Sequence, residues 1–253
     1  MSEPDPLHIV QITDCHLARI EGPVVRGIDS DKTLTGVLEL VKASQPDYCL
    51  ATGDLSDDGS IESYERLARH LNSLDLSVAC LPGNHDDAEL MRRMLPGGNI
   101  GMPETLDLGN WRIVLLDSTI PGCCPGHLSE ERLSGLRAHL QDGAARHHLI
   151  VLHHPALPSG CAWMDDDMLL DNPEGLFAVI GGAPTVRGVI WGHIHQDFYE
   201  EVESVPCWGA PSTSVQFLPD SGVFKADERM PGFRHLWLHA DGHIVSHVER
   251  TRE

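Results

Sequence analysis

The 253-residue chain carries 18 basic against 38 acidic side chains, a formal charge of −20, with 41% apolar and 22% charged residues. This composition excludes a disordered chain and, with no stretch near the roughly eighteen apolar residues a membrane span needs, a membrane-spanning helix. The charge opposes binding to nucleic acid and to anionic membrane surfaces, and the length suits one large α/β unit or two small ones.

The opening "MSEPDPLHIVQITD" has neither a basic leader nor an apolar signal core, which predicts a cytoplasmic location. Leu7 to Thr13 reads as a buried strand. A helix follows with Leu34, Val37, Leu38 and Val41 on one face, capped from Asp29-Ser30-Asp31 and closed by Pro46. The pattern repeats with a strand Tyr48 to Thr52, a helix after Ser60 and a strand Ser77 to Leu81. That second helix places Ile61, Tyr64, Leu67, Ala68, Leu71 and Leu74 on one face. Alternating strands and helices predict a parallel sheet with helices packed against it.

A helix from Asp87 to Leu95 ends at Pro96-Gly97-Gly98, and "ETLDLGNWRIVLLDS" reads as a hairpin turning at Gly109-Asn110. Next come a helix after Ser129 burying Leu133, Leu136 and Leu140, a strand His148 to Leu152 and a strand Val186 to Trp191; residues 160 to 182 show no assignable element. The last sixty residues read as strands, with a final hairpin at Asp241-Gly242. No linker or repeat divides the chain, which predicts a single domain over 1–253 of mixed α/β type. Seven cysteines, odd in number and never spaced Cys-x-x-Cys, read as reduced and structural, vicinal Cys123-Cys124 included.

Five polar stretches each follow an apolar strand: "TDCH" (13–16), "TGDLSDD" (52–58), "LPGNHDD" (81–87), "LHHP" (152–155) and "WGHIH" (191–195). Ligands bind at the carboxyl ends of parallel strands in sheets of this kind. The stretches supply Asp14, His16, Asp54, Asn84, His85, His153, His154, His193 and His195, an oxygen and imidazole set suited to divalent metals and too large for one tetrahedral ion. Two ions about 3.5–4 Å apart with a bridging carboxylate, for which Asp54 is the choice, would use the set and hydrolyse phosphate esters. Gly53 and Gly83 are expected to permit unusual backbone angles at the strand ends, and Gly192 to do the same before His193. Strand alternation is expected to put Asp14 and His16 on one face and Cys15 on the other, and to send only one of His153 and His154 into the site.

The ordered series Asp-x-His, Gly-Asp, Gly-Asn-His-Asp, His-His-Pro and Gly-His-x-His resembles the calcineurin-like metallophosphoesterases. Through "IVQITDCHL", "HHPALPSGCAW", "WGHIHQ", "APSTSVQF" and "PGFRHLWLHADG" the chain looks most like the bacterial class III 3′,5′-cyclic AMP phosphodiesterases. The resemblance implies a four-layer αββα sandwich of two mixed sheets flanked by helices. It implies Asp14, His16, Asp54 and His195 on one metal, and Asp54, Asn84, His153 and His193 on the other. His85 would be catalytic with Asp54, and the substrate would rest against His16, Asp54, Asn84, His85, His153 and His195.

The expected reaction is hydrolysis of cyclic AMP to 5′-AMP by hydroxide generated when coordination lowers the pKa of water from 15.7 to about 7. Iron or manganese is implied by the resemblance, with zinc, cobalt or nickel also compatible with the donors. Another small diester such as a glycerophosphodiester is the alternative substrate, and a catalytically dead scaffold is a further reading. Trp163, Trp208 and Phe217 either line a base pocket or pack in the core. Asp57, Asp58, Asp86 and Asp87 read either as partners that orient the ligand histidines or, as acidic loop residues usually are, as solvated, and they stay outside the site set. The sequence carries no signal for oligomeric state.

Overall fold

The computed structural model describes residues 5–23, 25–143 and 147–252. Strand β1 (Leu7–Ile12) runs parallel to β2 (Tyr48–Thr52), β3 (Val78–Leu81) and the two-residue β4 (Ile100–Gly101). Its other edge pairs antiparallel with β11 (Gly232–Leu238), which pairs with β12 (Ile244–Arg250). The sheet order is β12-β11-β1-β2-β3-β4. A second sheet, ordered β5-β6-β7-β8-β10-β9, is built from β5 (Thr105–Leu108), β6 (Trp111–Leu116), β7 (His147–Leu152), β8 (Val186–Trp191), β9 (Phe198–Val202) and β10 (Val205–Gly209).

Strand β6 is parallel to β7, β7 to β8 and β8 to β10, with antiparallel β5 and β9 at the edges. The two sheets face each other through Ile9, Leu50, Trp111, Leu149, Ile190 and Leu236 among others. Helices α1 (Ser30–Ser44), α2 (Ile61–Asn72) and α3 (Ala88–Met94) carry Val37, Leu67 and Met91 into the outer core of the first sheet. Helices α4 (Glu130–Gln141), α5 (Ala162–Asp165) and α6 (Pro173–Ile180) do the same for the second, through Leu136, Met164 and Leu176. The expected four layers are therefore present.

Local chemistry sets the boundaries. The side chains of Asp29, Ser60, Asp87 and Ser129 accept backbone N–H groups at the starts of α1, α2, α3 and α4. Gln45, left-handed at φ 49°, ends α1 just before Pro46. The hairpin at Gly109-Asn110 forms with Leu108 opposite Trp111, and the last hairpin turns through Gly242 at φ 92°.

Three readings change, and one turn has no signal in the sequence. Ile61 is half exposed, because it is the first residue of α2 and lies off the buried Tyr64–Leu67–Leu71 stripe. Residues 160 to 182 do contain helices, but four- and eight-residue ones are too short to show a periodic face. The last sixty residues are not all strand, since 210–231 cross over the ends of both sheets as loop with isolated bridges. Finally, β9 and β10 meet at a two-residue turn whose Glu203 and Ser204 are both left-handed, without the Gly or Asn that would signal it.

Two buried polar side chains tie sheet to sheet. Gln11 of β1 donates to Thr52 Oγ1 (2.9 Å) and to the Trp191 carbonyl (3.0 Å) at the end of β8. Arg234 of β11 donates to the Gly209 carbonyl (2.7 Å) at the end of β10 and to Ser246 Oγ (2.7 Å), and pairs with Asp197. Breaking such a buried cluster leaves polar groups unpaired, so Arg234→Met should lower stability by about 3 kcal/mol, with the urea m-value unchanged in equilibrium unfolding.

Candidate metal centre

All five motifs converge where β1, β2, β3, β7 and β8 end. Asp14 and His16 follow β1, Asp54 follows β2, and Asn84 and His85 follow β3, while His153 and His193 with His195 follow β7 and β8. Asp14, Asp54, His153 and His195 are each at most 2% exposed. Ligating atoms of Asp14, His16 and His195 lie within 4.8 Å of one another, as do those of Asp14, Asp54 and His153. Asp54 Oδ2 is 3.4 Å from His153 Nε2 and 3.8 Å from His16 Nε2, between the two groups.

The backbone geometry differs from the strand alternation expected at "ITDCH". Strand β1 stops at Ile12, and Asp14 (φ 53°), His16 (48°), Asp54 (50°), His193 (67°) and His195 (51°) all lie in the left-handed region. Each Asp-x-His or His-x-His pair thus folds back twice, turning both side chains to one side. Cys15 still points away, packed at 0% exposure beside the α1 and α2 core, and burial pushes its thiol up to about 12. Its sulfur packs in the core on the helix side and joins none of the clusters of ligating atoms among the described residues.

The glycines act differently from expectation as well. Gly53 does need its φ of 94°, but Gly83 and Gly192 serve by lacking a Cβ. A Cβ at Gly83 would overlap Asp54, and one at Gly192 would meet Thr13 and come within 2.9 Å of Asp14 Oδ2.

Ring nitrogens on the outer side of the cluster are tied to acceptors. His16 Nδ1–H donates to Asp57 Oδ1 (3.0 Å), His153 Nδ1–H to the Thr52 carbonyl (2.9 Å) and His195 Nδ1–H to the Val215 carbonyl (2.7 Å). These bonds fix the tautomers and leave each Nε2 lone pair facing inward. His16 Nε2 then stands 3.3 Å from His195 Nε2, and His153 Nε2 stands 3.2 Å from His193 Nδ1. Lone pairs so opposed repel unless a cation lies between them. Asn84 Oδ1 and His193 Nε2 are buried without a hydrogen-bond partner among the described residues. The donor set therefore fits divalent cations.

His154 is a different case. It comes within 4.8 Å of His153 and His193, but its Nε2–H donates to the Cys124 carbonyl (3.1 Å) and its Nδ1 accepts from Ser118 Oγ (2.8 Å). No lone pair remains for a metal, and both histidines are buried because the chain has already left β7.

The charges respond to this crowding. Burial alone would raise Asp54, but facing His153 with His16 and His85 holds its carboxyl well below the usual carboxylate range. Burial opposes a charge on His153, yet Asp54 lifts it to about 9, while burial and that neighbouring charge drive His193 down to about 3.

Several acidic loop residues prove to be framework rather than solvated. Asp57 holds His16, and its backbone carbonyl accepts His85 Nδ1–H (2.8 Å). Asp86 accepts from the backbone N–H groups of Leu55 (3.1 Å), Ser56 (2.9 Å) and Gly83 (2.9 Å) and from Tyr64 Oη–H (3.0 Å), clamping two site loops together. Asp58 accepts from the Arg19 and Ser60 N–H groups, and Asp87 caps α3. Spacing from Asp54 and Asn84 was the available signal for these residues. The 210–231 loop also contributes, Ser212 Oγ–H donating to the Asp14 carbonyl (2.7 Å). A cleft opening over the cluster is lined by Arg26, His85, Trp163, Met168 and Phe217, whereas Trp208 packs between the sheets.

A paired-carboxylate and imidazole centre at the rim of a four-layer sandwich defines a metal-dependent phosphoesterase architecture. Residues 7–197 match the calcineurin-like phosphoesterase family model, and the chain belongs to that family. It is 40% identical over 245 residues to the 3′,5′-cyclic adenosine monophosphate phosphodiesterase CpdA of Pseudomonas aeruginosa, covering 96% of this chain and 89% of that protein. It is 41% identical to the 3′,5′-cyclic-nucleotide phosphodiesterase alr5338 of Nostoc sp., covering 99% and 95%. A dimetal phosphatase from Danio rerio has the same fold, with a TM-score of 0.72, 98% coverage of both chains and 18% identity.

Two substitutions test the geometry through metal content after dialysis. Asp57→Asn should weaken metal retention about 10- to 100-fold by freeing the His16 ring, an effect expected of a residue that orients a ligand. Cys15→Ser should keep the wild-type metal content, and His16→Ala should lose it.

Proposed function

We propose that this chain hydrolyses 3′,5′-cyclic AMP to 5′-AMP at two divalent cations, iron or manganese, in the cytoplasm. The observation that carries the reading is the convergence of Asp14, His16, Asp54, His153, His193 and His195 in one cluster of possible cation ligands, in a chain about 40% identical over nearly its whole length to relatives named as cyclic nucleotide phosphodiesterases. Among the described residues no helix is long and apolar enough to cross a membrane.

In this reading Asp14, His16, Asp54 and His195 hold one cation, and Asp54, Asn84, His153 and His193 hold the other. When bound, the two ions supply Lewis acidity toward water and toward the phosphoryl oxygens. The protein does the rest. Asp54 is kept ionised by its imidazole neighbours, so that it can serve both ions at once. The backbone N–H of His85 donates to Asp54 Oδ1 (2.9 Å), which fixes the carboxylate plane and leaves Oδ2 toward the histidines.

His85 is the proton donor to the departing 3′ oxygen. Its Nδ1–H donates to the Asp57 carbonyl (2.8 Å), and the Asp57 carboxylate lies 3.8 Å from the same nitrogen. Nε2 is then the ring atom for proton exchange at the cleft. Two divalent cations held with the carboxylates of Asp14 and Asp54 would leave a local positive excess able to attract a small phosphodiester despite the chain's overall negative charge.

Metal-loaded protein should therefore turn over cyclic AMP, and Asp54→Ala should lose both metal and turnover. His85→Ala should retain metal while kcat falls about 10²- to 10⁴-fold. Fully metallated protein that is inert toward cyclic AMP but active on glycerophosphodiesters would overturn the substrate assignment, and inertness toward every diester would favour a scaffold.

A further inference from the structure

The cleft has two chemically distinct walls. One is the carboxylate and imidazole cluster; the other brings three separate segments together. Trp163 comes from α5, and Phe217 and Phe224 come from a hairpin closed by the Phe217–Ala226 bridge and by the Leu218 N–H donating to the Lys225 carbonyl (2.8 Å). Arg26 comes from the loop between β1 and α1, in a turn where the Ile28 N–H donates to the Val25 carbonyl (2.8 Å). The Trp163 ring stands edge-on to Phe217 (5.1 Å between centroids) and to Phe224 (5.5 Å). Phe217 in turn lies flat on His195 at 3.8 Å and 8°.

Arg26 is the feature that the phosphoryl chemistry leaves unexplained. It is exposed, it is the only Lys or Arg lining the cleft among the described residues, and its backbone is left-handed at φ 49°. Its guanidinium carbon lies 4.1 Å from the Phe224 centroid and 5.9 Å from that of Phe217. In a chain of net charge −20 it has no carboxylate within ion-pair distance among the described residues. A guanidinium laid on an aromatic ring keeps its other face and its N–H edge for a flat, hydrogen-bonding ligand. Phe224 itself remains 41% exposed beside it.

A ligand that matches both walls has an anionic pole and a flat heteroaromatic pole. We infer that Arg26, stacked on Phe224 and backed by Phe217 and Trp163, forms the nucleobase-binding face of the cleft and selects nucleotides over base-free phosphodiesters. The inference rests on the proposed phosphodiesterase reading and adds the residues that set its specificity. Arg26 is assigned to the base and not to the phosphate, because cations held by the carboxylate and imidazole cluster would supply the charge that a phosphate needs.

Calorimetric titration of manganese-loaded protein with 5′-AMP and with ribose 5-phosphate tests this without requiring turnover. Stacking and cation–π contact predict that wild type binds 5′-AMP about tenfold or more tightly than ribose 5-phosphate. In Arg26→Ala, and in Arg26→Gly, which suits the left-handed backbone, the ratio should fall to within about twofold while ribose 5-phosphate affinity stays at its wild-type value. Phe224→Ala should do the same. Equal weakening of both ligands would make Arg26 a phosphate clamp and overturn the inference, as would a wild-type protein that does not distinguish the two. Protein that is inert toward cyclic AMP yet keeps the tenfold ratio would sink the proposed reaction and support the nucleobase face.

Discussion

Asp54, buried between opposed imidazoles, is the constraint to which the surrounding structure answers. Burying an ionised carboxylate away from water is costly unless charge and hydrogen bonds compensate it. Here the compensation comes from His153 and His16 on its Oδ2 side and from the His85 N–H on Oδ1. Those imidazoles are crowded in turn, and are held only because each outer nitrogen is fixed to Asp57, Thr52 or Val215. Strand ends from both sheets are needed to deliver this set, which explains why polar ties such as Gln11 to the Trp191 carbonyl join the sheets just beneath it.

Most of the fold was legible because its signals are local and repeated. Apolar runs at strand length, helical stripes such as Leu34–Val37–Leu38–Val41 and the polar caps before them all appear where expected. What escaped were elements without a local signature. The α6 helix is too short for its Leu176, Val179 and Ile180 to form a repeating stripe, and the turn at Glu203-Ser204 lacks glycine. The 210–231 segment has the composition of strand ends but is spent in hydrogen bonding to the site loops.

The candidate site was legible in residue type but not in geometry. Strand alternation correctly separates Asp14 and His16 from Cys15, but for the wrong reason. The chain has left the sheet, and left-handed residues do the sorting. The same holds for His153 and His154, where the distinction lies in which nitrogens are already engaged and not in which way a strand faces. Such partners are distant in sequence, as Ser118 and Cys124 are from His154, so no pattern along the chain announces them. Backbone held in sparsely populated regions stores strain of about 1–3 kcal/mol per residue, and Asp14, His16, Asp54, His193 and His195 in the candidate site are all of this kind.

The placement of β11 carries a consequence for how the molecule comes into being. Val10 of β1, near the chain's start, pairs with His235 of β11, and Ser212 and Val215 complete the surroundings of Asp14 and His195. Contacts of such separation close late, after the helices and the parallel β1–β2–β3 core have collapsed. Loss of β11 would open one edge of β1 and, through the Gly232 N–H bond to the Ser212 carbonyl (3.1 Å), loosen the segment that braces Asp14.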